Sequence, residues 1–81
     1  MNERNLYRGQ LAELNDQFKK IEILDDSLLT EIRMKLNPIN EFTEFDVEGV
    51  FSLIETWRMN QLKGREILEK IDKLETLLGL K

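Results

Sequence analysis

Apolar residues along this chain recur at alternating steps of three and four, which places side chains along one face of an α-helix. One such stripe runs from Tyr7 to Ile32 and a second runs from Val50 to Leu78. Pro38 separates them, because proline disfavours helix in the preceding residue and has no amide hydrogen to donate. The pattern predicts an all-α domain over residues 1–81, with amphipathic helices at 3–36 and 44–78 and a turn at 37–43.

The ends of the second helix have their own signals. The hydroxyl of Thr43 can accept a hydrogen bond from the amide of Asp46, whose carboxylate can reach back, as in a capping box. Phe42 and Val47 then fall at the two positions of a hydrophobic staple. Gly79 suits the left-handed residue that closes many helices. We therefore expect the second helix to start at Thr43 and to end just before Gly79.

A short connection makes consecutive helices antiparallel neighbours, so the chain should fold as a helical hairpin. This register places Phe18 next to Gly64, which would leave space for the ring. It also brings Asp25 within reach of Arg58, where an ion pair would fix the register. Breaks at residues 25–27 or 60–64 are the alternative, and they would give a compact domain of three or four shorter helices.

The apolar stripes are wider than two helices can cover on each other. Residues beside the stripes, such as Ile23 and Phe51, would form a long exposed patch, which soluble monomers rarely carry. Pairing with a second copy, as a four-helix bundle with coiled-coil packing, is the simplest remedy. A different partner protein, or a monomer folded back on itself, would also cover them. The residues predicted for the core seam and the dimer are Leu11, Leu14, Phe18, Ile21, Leu28, Ile32, Val50, Ile54, Trp57, Ile67, Leu68, Ile71, Leu74 and Leu78.

Composition narrows the possible chemistry. The 81 residues include no Cys and no His, so disulfides, thiolate ligands and imidazole ligands are absent. Carboxylates alone favour hard cations and bind them weakly without a preformed loop. Glu66 and Glu69 share a helix face, but the di-metal carboxylate bundles also need a His on two of their helices. We predict no catalytic residue, no metal site and no cofactor.

Charge and hydropathy bear on partners. The chain has 16 acidic and 12 basic residues and a net charge of −4. A nucleic-acid backbone repels an acidic protein unless its basic residues are segregated, and neither half of this chain is basic. No apolar run approaches the roughly 20 residues of a membrane span, and the N-terminus lacks the pattern of a secretory signal. The expected location is cytoplasmic, with no membrane partner and with nucleic acid disfavoured.

The predicted hairpin tip, residues 39–49, combines two aromatic residues with four acidic ones. We expect both rings to fold over the end of the bundle, although Phe45 would lie one residue into the helix and could instead project outward. Exposed aromatics flanked by acids suit a partner with a basic, apolar patch. The candidate partner-binding residues are Phe42, Glu44, Phe45, Asp46 and Glu48.

The sequence as a whole favours a non-enzymatic protein–protein interaction module that self-associates through its apolar helix faces and binds an unidentified protein. A small adaptor, an assembly chaperone, an inhibitor, and a phage or mobile-element protein all fit that description. A dimeric helical hairpin that binds nucleic acid is the second hypothesis. An enzyme with a carboxylate-bound metal is a distant third.

Overall fold

A computed structural model of the chain describes residues 3–80, which form two long helices and a short connection. Helix α1 spans Glu3–Lys35, a 3₁₀ turn spans Phe42–Glu44 and helix α2 spans Val47–Leu77. The helices pack against each other as a hairpin with dimensions of 61 × 20 × 15 Å. The prediction of an all-helical hairpin is confirmed, and both helices run without a break through residues 25–27 and 60–64.

The connection between the helices is held by its own hydrogen bonds. Helix α1 ends at Lys35, three residues before Pro38. The side chain of Asn37 accepts a hydrogen bond from the amide of Ile39 at 3.1 Å. Its carbonyl accepts one from the amide of Asn40, also at 3.1 Å. Asn37 therefore shapes the turn with both its side chain and its backbone, as asparagine often does.

The predicted helix start at Thr43 is wrong. Thr43 lies inside the 3₁₀ turn, and α2 begins at Val47 with Asp46 as its N-cap. Asp46 Oδ1 accepts a hydrogen bond from the amide of Gly49 at 2.9 Å, which satisfies one of the amides that a helix start leaves open. Lys35 Nζ also donates to Asp46 Oδ2 at 2.9 Å. This second bond favours the later start, because it ties the beginning of α2 to the end of α1.

The far end of α2 closes as predicted. Gly79 has a φ of +73°, in the left-handed region that favours glycine. Its amide donates to the carbonyl of Thr76 at 3.1 Å, and the amide of Leu80 donates to the carbonyl of Glu75 at 2.8 Å. These two bonds form a Schellman motif, which satisfies carbonyls that the last turn of a helix leaves open.

Polar contacts cross the seam between the two sides of the hairpin, and two of them near its middle define the register of the helices. Trp57 Nε1 donates to Asp25 Oδ1 at 2.6 Å. Asn60 Nδ2 donates to the carbonyl of Ile21 at 3.0 Å, and Asn60 is buried. The predicted ion pair between Asp25 and Arg58 is wrong, since the hydrogen-bond partner of Asp25 is the neighbouring indole. The register itself is as predicted.

The apolar seam is thin. Six predicted seam residues are buried, and even Leu78, the most buried of them, keeps 3% of its surface exposed. Ile54 and Leu68 lie outside the seam, with 44% and 48% exposed. The buried residues are Leu28, Ile32, Val50, Ile71, Leu74 and Leu78, and the half-buried ones are Leu11, Leu14, Phe18, Ile21, Trp57 and Ile67.

Gly64 is buried in the seam beside Phe18, as the register predicts, but the ring does not require a glycine at this position. A methyl group added there would lie 3.5 Å from Ile21 Cγ2 and 3.7 Å from Phe18 Cε2, which are ordinary van der Waals distances. We expect Gly64→Ala to raise the free energy of unfolding by about 1 kcal/mol, because alanine loses less backbone freedom in a helix. Urea denaturation measures the change.

Gly79→Ala is the matched control for that substitution. It should lower the free energy of unfolding by about 1 kcal/mol, because a Cβ is disfavoured in the left-handed region. A loss of stability in Gly64→Ala would contradict the first expectation. It would mean that the seam tolerates no added methyl group at this position.

The bond between Trp57 and Asp25 gives a second prediction. Trp57→Phe removes the donor and leaves a half-buried carboxylate without that partner. We expect a loss of about 1–2 kcal/mol in the free energy of unfolding. A double-mutant cycle with Asp25→Ala should give a coupling of about 1 kcal/mol. Simple additivity of the two single substitutions would show that the bond contributes nothing to stability.

Candidate interaction surfaces

The connection between the helices exposes most of its large apolar side chains. Ile39 and Phe42 are each 86% exposed, and Val47 and Leu36 are 63% and 51% exposed. Single exposed apolar residues are common on proteins, but several within one short segment are typical of a contact surface. The segment from Leu36 to Val47, called the tip below, is therefore one candidate surface for binding a partner.

The two aromatic rings of the tip differ in exposure. Phe42 is almost fully exposed, so it does not fold over the end of the bundle, and it cannot form a staple with Val47, which is itself exposed. Phe45 is half-buried and does not project outward. It directly precedes the N-cap Asp46 and so occupies the first staple position, with the buried Val50 at the second. Phe42 is thus the ring that remains available to a partner.

Among the candidate acids, Asp46 is engaged within the turn itself. The hydrogen bond from Lys35 and then the one from the amide of Gly49 hold the pKa of Asp46 below its usual value, because both favour the charged carboxylate. The hydrogen bond to Asp46, together with its negative charge, raises the pKa of Lys35. Glu44 and Glu48 are exposed and lie on either side of this cap.

Ile39 is the tip residue that sequence reasoning missed. It directly follows Pro38 and lies outside both helical stripes, so the periodicity assigned it no role. Its position in the sequence could have identified Ile39 as an exposed residue, because a large apolar residue in a tight turn has few neighbours that could cover it. The ion pair between Lys35 and Asp46 was missed as well, since it joins residues that the turn brings together.

A second candidate surface is one side of the hairpin, called the front face below. A groove about halfway along it is lined by both helices, and a neighbouring groove nearer the tip belongs to α2. Gln61 lines both grooves, which places them on the same side. The polar and apolar residues that identify the front face are Glu22, Asp26, Ile54, Arg58, Gln61, Arg65 and Leu68.

The opposite side, called the back face, carries a groove lined by Gln10, Leu14, Lys70, Lys73 and Leu74. Leu14 and Leu74 belong to the seam, so the groove is floored by apolar atoms and edged by long polar side chains. The two faces therefore differ in character. The front face mixes acids, bases and apolar residues from both helices, whereas basic side chains from α2 edge the back-face groove.

Over residues 3–80, no group of three or more acidic side chains is arranged to hold a metal ion. Every buried side-chain polar atom in this part of the chain has a hydrogen-bond partner. Neither of the two helices carries an apolar stretch long enough to cross a membrane. What these surfaces offer chemically is apolar contact and exposed charge.

Comparisons with known proteins add no family to this description. A scan of protein-family models, a search of curated proteins and a search of solved structures each found no match. Function is therefore inferred from the tip and from the two faces of the hairpin.

The two rings of the tip give a prediction that separates a contact residue from a structural one. Phe42→Ala should leave the melting temperature within about 1 °C of the parent protein, because little apolar surface is buried at an exposed site. Phe45→Ala should lower the free energy of unfolding by about 1–2 kcal/mol, since it removes a half-buried ring from the staple. Thermal and urea denaturation of both variants test this. Equal effects on stability would show that the two rings do not differ in role.

Proposed function

We propose that this chain is a non-enzymatic protein–protein interaction module that forms a homodimer, with its hairpins associating through exposed apolar surface into a four-helix bundle. One observation supports this most directly. Among the described residues, fifteen large hydrophobic side chains are exposed, from 43% at Leu62 to 86% at Ile39 and Phe42, against six that are buried. A hairpin with more apolar side chains outside than inside gains stability when a partner covers them.

The energetic argument follows from chain length. A chain of 81 residues buries a modest fraction of its unfolded surface, and a two-helix layer buries less than a globule of that size. Removing apolar surface from water contributes about 25 cal/mol per Å². Small domains with few buried residues usually need a disulfide, a metal or association to be stable, and the sequence has no cysteine. Of these sources of stability, self-association is the one that the exposed apolar surface supports.

Exposed aromatic and acidic residues at the tip support the binding part of the proposal. Phe42 is a rigid apolar group held next to exposed Glu44, and Ile39 lies three residues before it. Aromatic side chains contribute much of the binding energy at protein interfaces, and nearby acids would select a basic partner surface. The proposed module therefore pairs through the sides of the hairpin and presents its tip to a basic, apolar patch on another protein.

Size-exclusion chromatography with multi-angle light scattering, over a hundredfold range of concentration, tests the proposal. We expect a mass near twice the 9.6 kDa of the chain and a melting temperature that rises with concentration, because association stabilises the folded state. Phe42→Ala serves as a control, since a change at the tip should leave the mass unchanged. A monomer with a concentration-independent melting temperature would contradict self-association.

A further inference from the structure

We infer that two copies pair through their front faces, with the hairpins pointing in the same direction and the two-fold axis along their length. This inference rests on the self-association proposed above and adds the face and the orientation. It is carried by two features of the front face, an apolar patch at one end and a band of opposite charges near the middle. In this arrangement the apolar patches of the two copies face each other, and the acids of each charged band face the base of the other.

The seam contacts allow front-face residues to be ordered along the hairpin. Asp25 lies level with Trp57, and Ile21 lies level with Asn60. Ile54 and Arg58 belong to the front face of α2, and Glu22 and Asp26 to the front face of α1. Residues seven positions away lie on the same side of a helix that packs with this spacing. The front face can therefore be followed in both directions from its grooves.

Towards the tip, this ordering gathers apolar residues from both helices into one region, called the turn-end patch, with Arg33, seven positions after Asp26, as the charged residue that the same spacing places there. Phe51 and Val47 are 67% and 63% exposed, Leu36 and Ile54 are 51% and 44% exposed, and Leu29 is half-buried. Leu36 and Val47 are the two end residues of the tip, so pairing through this patch leaves Ile39 and Phe42 for another protein. The other end of the front face is polar on α1 and has one exposed apolar residue, Leu68, on α2. The α1 residues there, seven and fourteen positions before Glu22 and Asp26, are Arg8, Ala12, Asn15 and Lys19.

Between these ends lies the charged band, formed by Glu22 and Asp26 on α1 and Arg58 on α2. With a rise of about 1.5 Å per residue, Arg58 falls between the levels of the two acids, about 3 Å along the axis from each. All three side chains are exposed. None of them forms an ion pair within residues 3–80, whose ion pairs include Lys20 with Asp16 and Lys35 with Asp46. The band therefore presents unpaired charges of both signs on one surface.

A two-fold axis along the hairpin places α1 of one copy opposite α2 of the other, with every level preserved. The turn-end patch then covers the turn-end patch of the second copy. Arg58 lies opposite Glu22 and Asp26 of the second copy, and symmetry repeats this contact. Opposite charges that meet across an interface select register and orientation more than they add affinity.

Hairpins pointing in opposite directions would lose both features. The turn-end patch would lie against the polar end that contains Arg8 and Lys19, and Arg58 would no longer face the two acids. The back face offers less, because its exposed apolar residues are spread along its length rather than gathered at one end. Examples are Met59, fourteen positions before Lys73, and Leu77, seven positions after Lys70, at 59% and 64% exposed.

A charge exchange tests the arrangement. In a dimer of Arg58→Glu, the new glutamate of each copy faces Glu22 and Asp26 of the other copy. In a dimer of Glu22→Lys/Asp26→Lys, the two new lysines of each copy face Arg58 of the other copy. We expect either variant alone to dimerise at least tenfold more weakly than the parent chain. An equimolar mixture should recover the parent affinity as a heterodimer, since both charge contacts are then between opposite signs. Analytical ultracentrifugation and native mass spectrometry measure this, with circular dichroism to verify that each variant is helical.

The control makes the same net-charge changes away from the front face, as Lys70→Glu, in the back-face groove, mixed with Glu13→Lys/Glu31→Lys. These variants should dimerise like the parent chain, and mixing should change nothing. Preferential heterodimers from the control pair would mean that net charge, not the charged band, drives the exchange and would overturn the inference. A front-face mixture no tighter than its components, with the parent chain dimeric, would also overturn it while leaving self-association intact. A monomeric parent chain would overturn both proposals.

Orientation has an independent readout, because the chain contains no cysteine and a single one can be introduced for labelling. A spin label at Asn40→Cys reports on the tip, where residue 40 is exposed. Hairpins pointing the same way bring two such labels much closer than the 61 Å length of the hairpin. A distance near that length would show opposite directions and overturn the inference even if the charge exchange succeeded.

Discussion

A pair of helices can bury only one stripe of side chains on each partner, and the rest of this structure follows from that limit. Along the two helices the seam provides six buried apolar residues, while larger numbers of apolar residues remain on the outer surfaces. Protein interiors are close-packed on all sides, whereas a seam between two helices is open along both edges. The hairpin thus resembles one layer of a four-helix bundle, and the proposed self-association would supply the second layer.

The polar contacts within the seam matter because so thin a core specifies its register only weakly. Apolar residues repeat every seven positions, so sliding one helix by a heptad would still match leucine with leucine. The bond between Trp57 and Asp25, and the bond from Asn60 to the carbonyl of Ile21, would both be lost in such a shifted register. Polar groups in a core are costly to leave unpaired, so they disfavour wrong registers more than they stabilise the right one.

How far the sequence predicted this structure depended on whether each signal was periodic or local. The helices, the seam and the antiparallel register followed from a spacing repeated over some thirty residues, so single errors had little effect. The start of α2 was misplaced because Thr43 and Asp46 both resemble N-caps, and the bond to Lys35 that favours Asp46 exists only in the folded hairpin.

The candidate site at the tip was predictable only in part, and for the same reason. The sequence showed that residues 39–49 contain two aromatic and four acidic residues. In the structure, Phe42 and Glu44 of this segment are exposed. Shifting the N-cap by three residues exchanges the staple position between Phe42 and Phe45, so the ring left exposed is Phe42 and not Phe45. Asp25 accepts a hydrogen bond from the indole of Trp57 and does not pair with the guanidinium of Arg58. Trp57 and Arg58 are adjacent in the sequence, and apolar spacing alone does not show which of two adjacent residues reaches Asp25.

The orientation of the pair determines what the tips can do together. Hairpins that point the same way place both copies of Phe42 and Ile39 at one end, where a single partner with a repeated basic, apolar patch could contact the two at once. Joining two weak sites in this way raises the effective concentration of the second contact and so increases affinity without any new residue. Opposite directions would instead separate the tips by about the 61 Å length of the hairpin, which suits bridging between two separate partners. The charged band on the front face, by favouring the first arrangement, would therefore make the proposed dimer a bivalent surface at one end rather than a spacer between two.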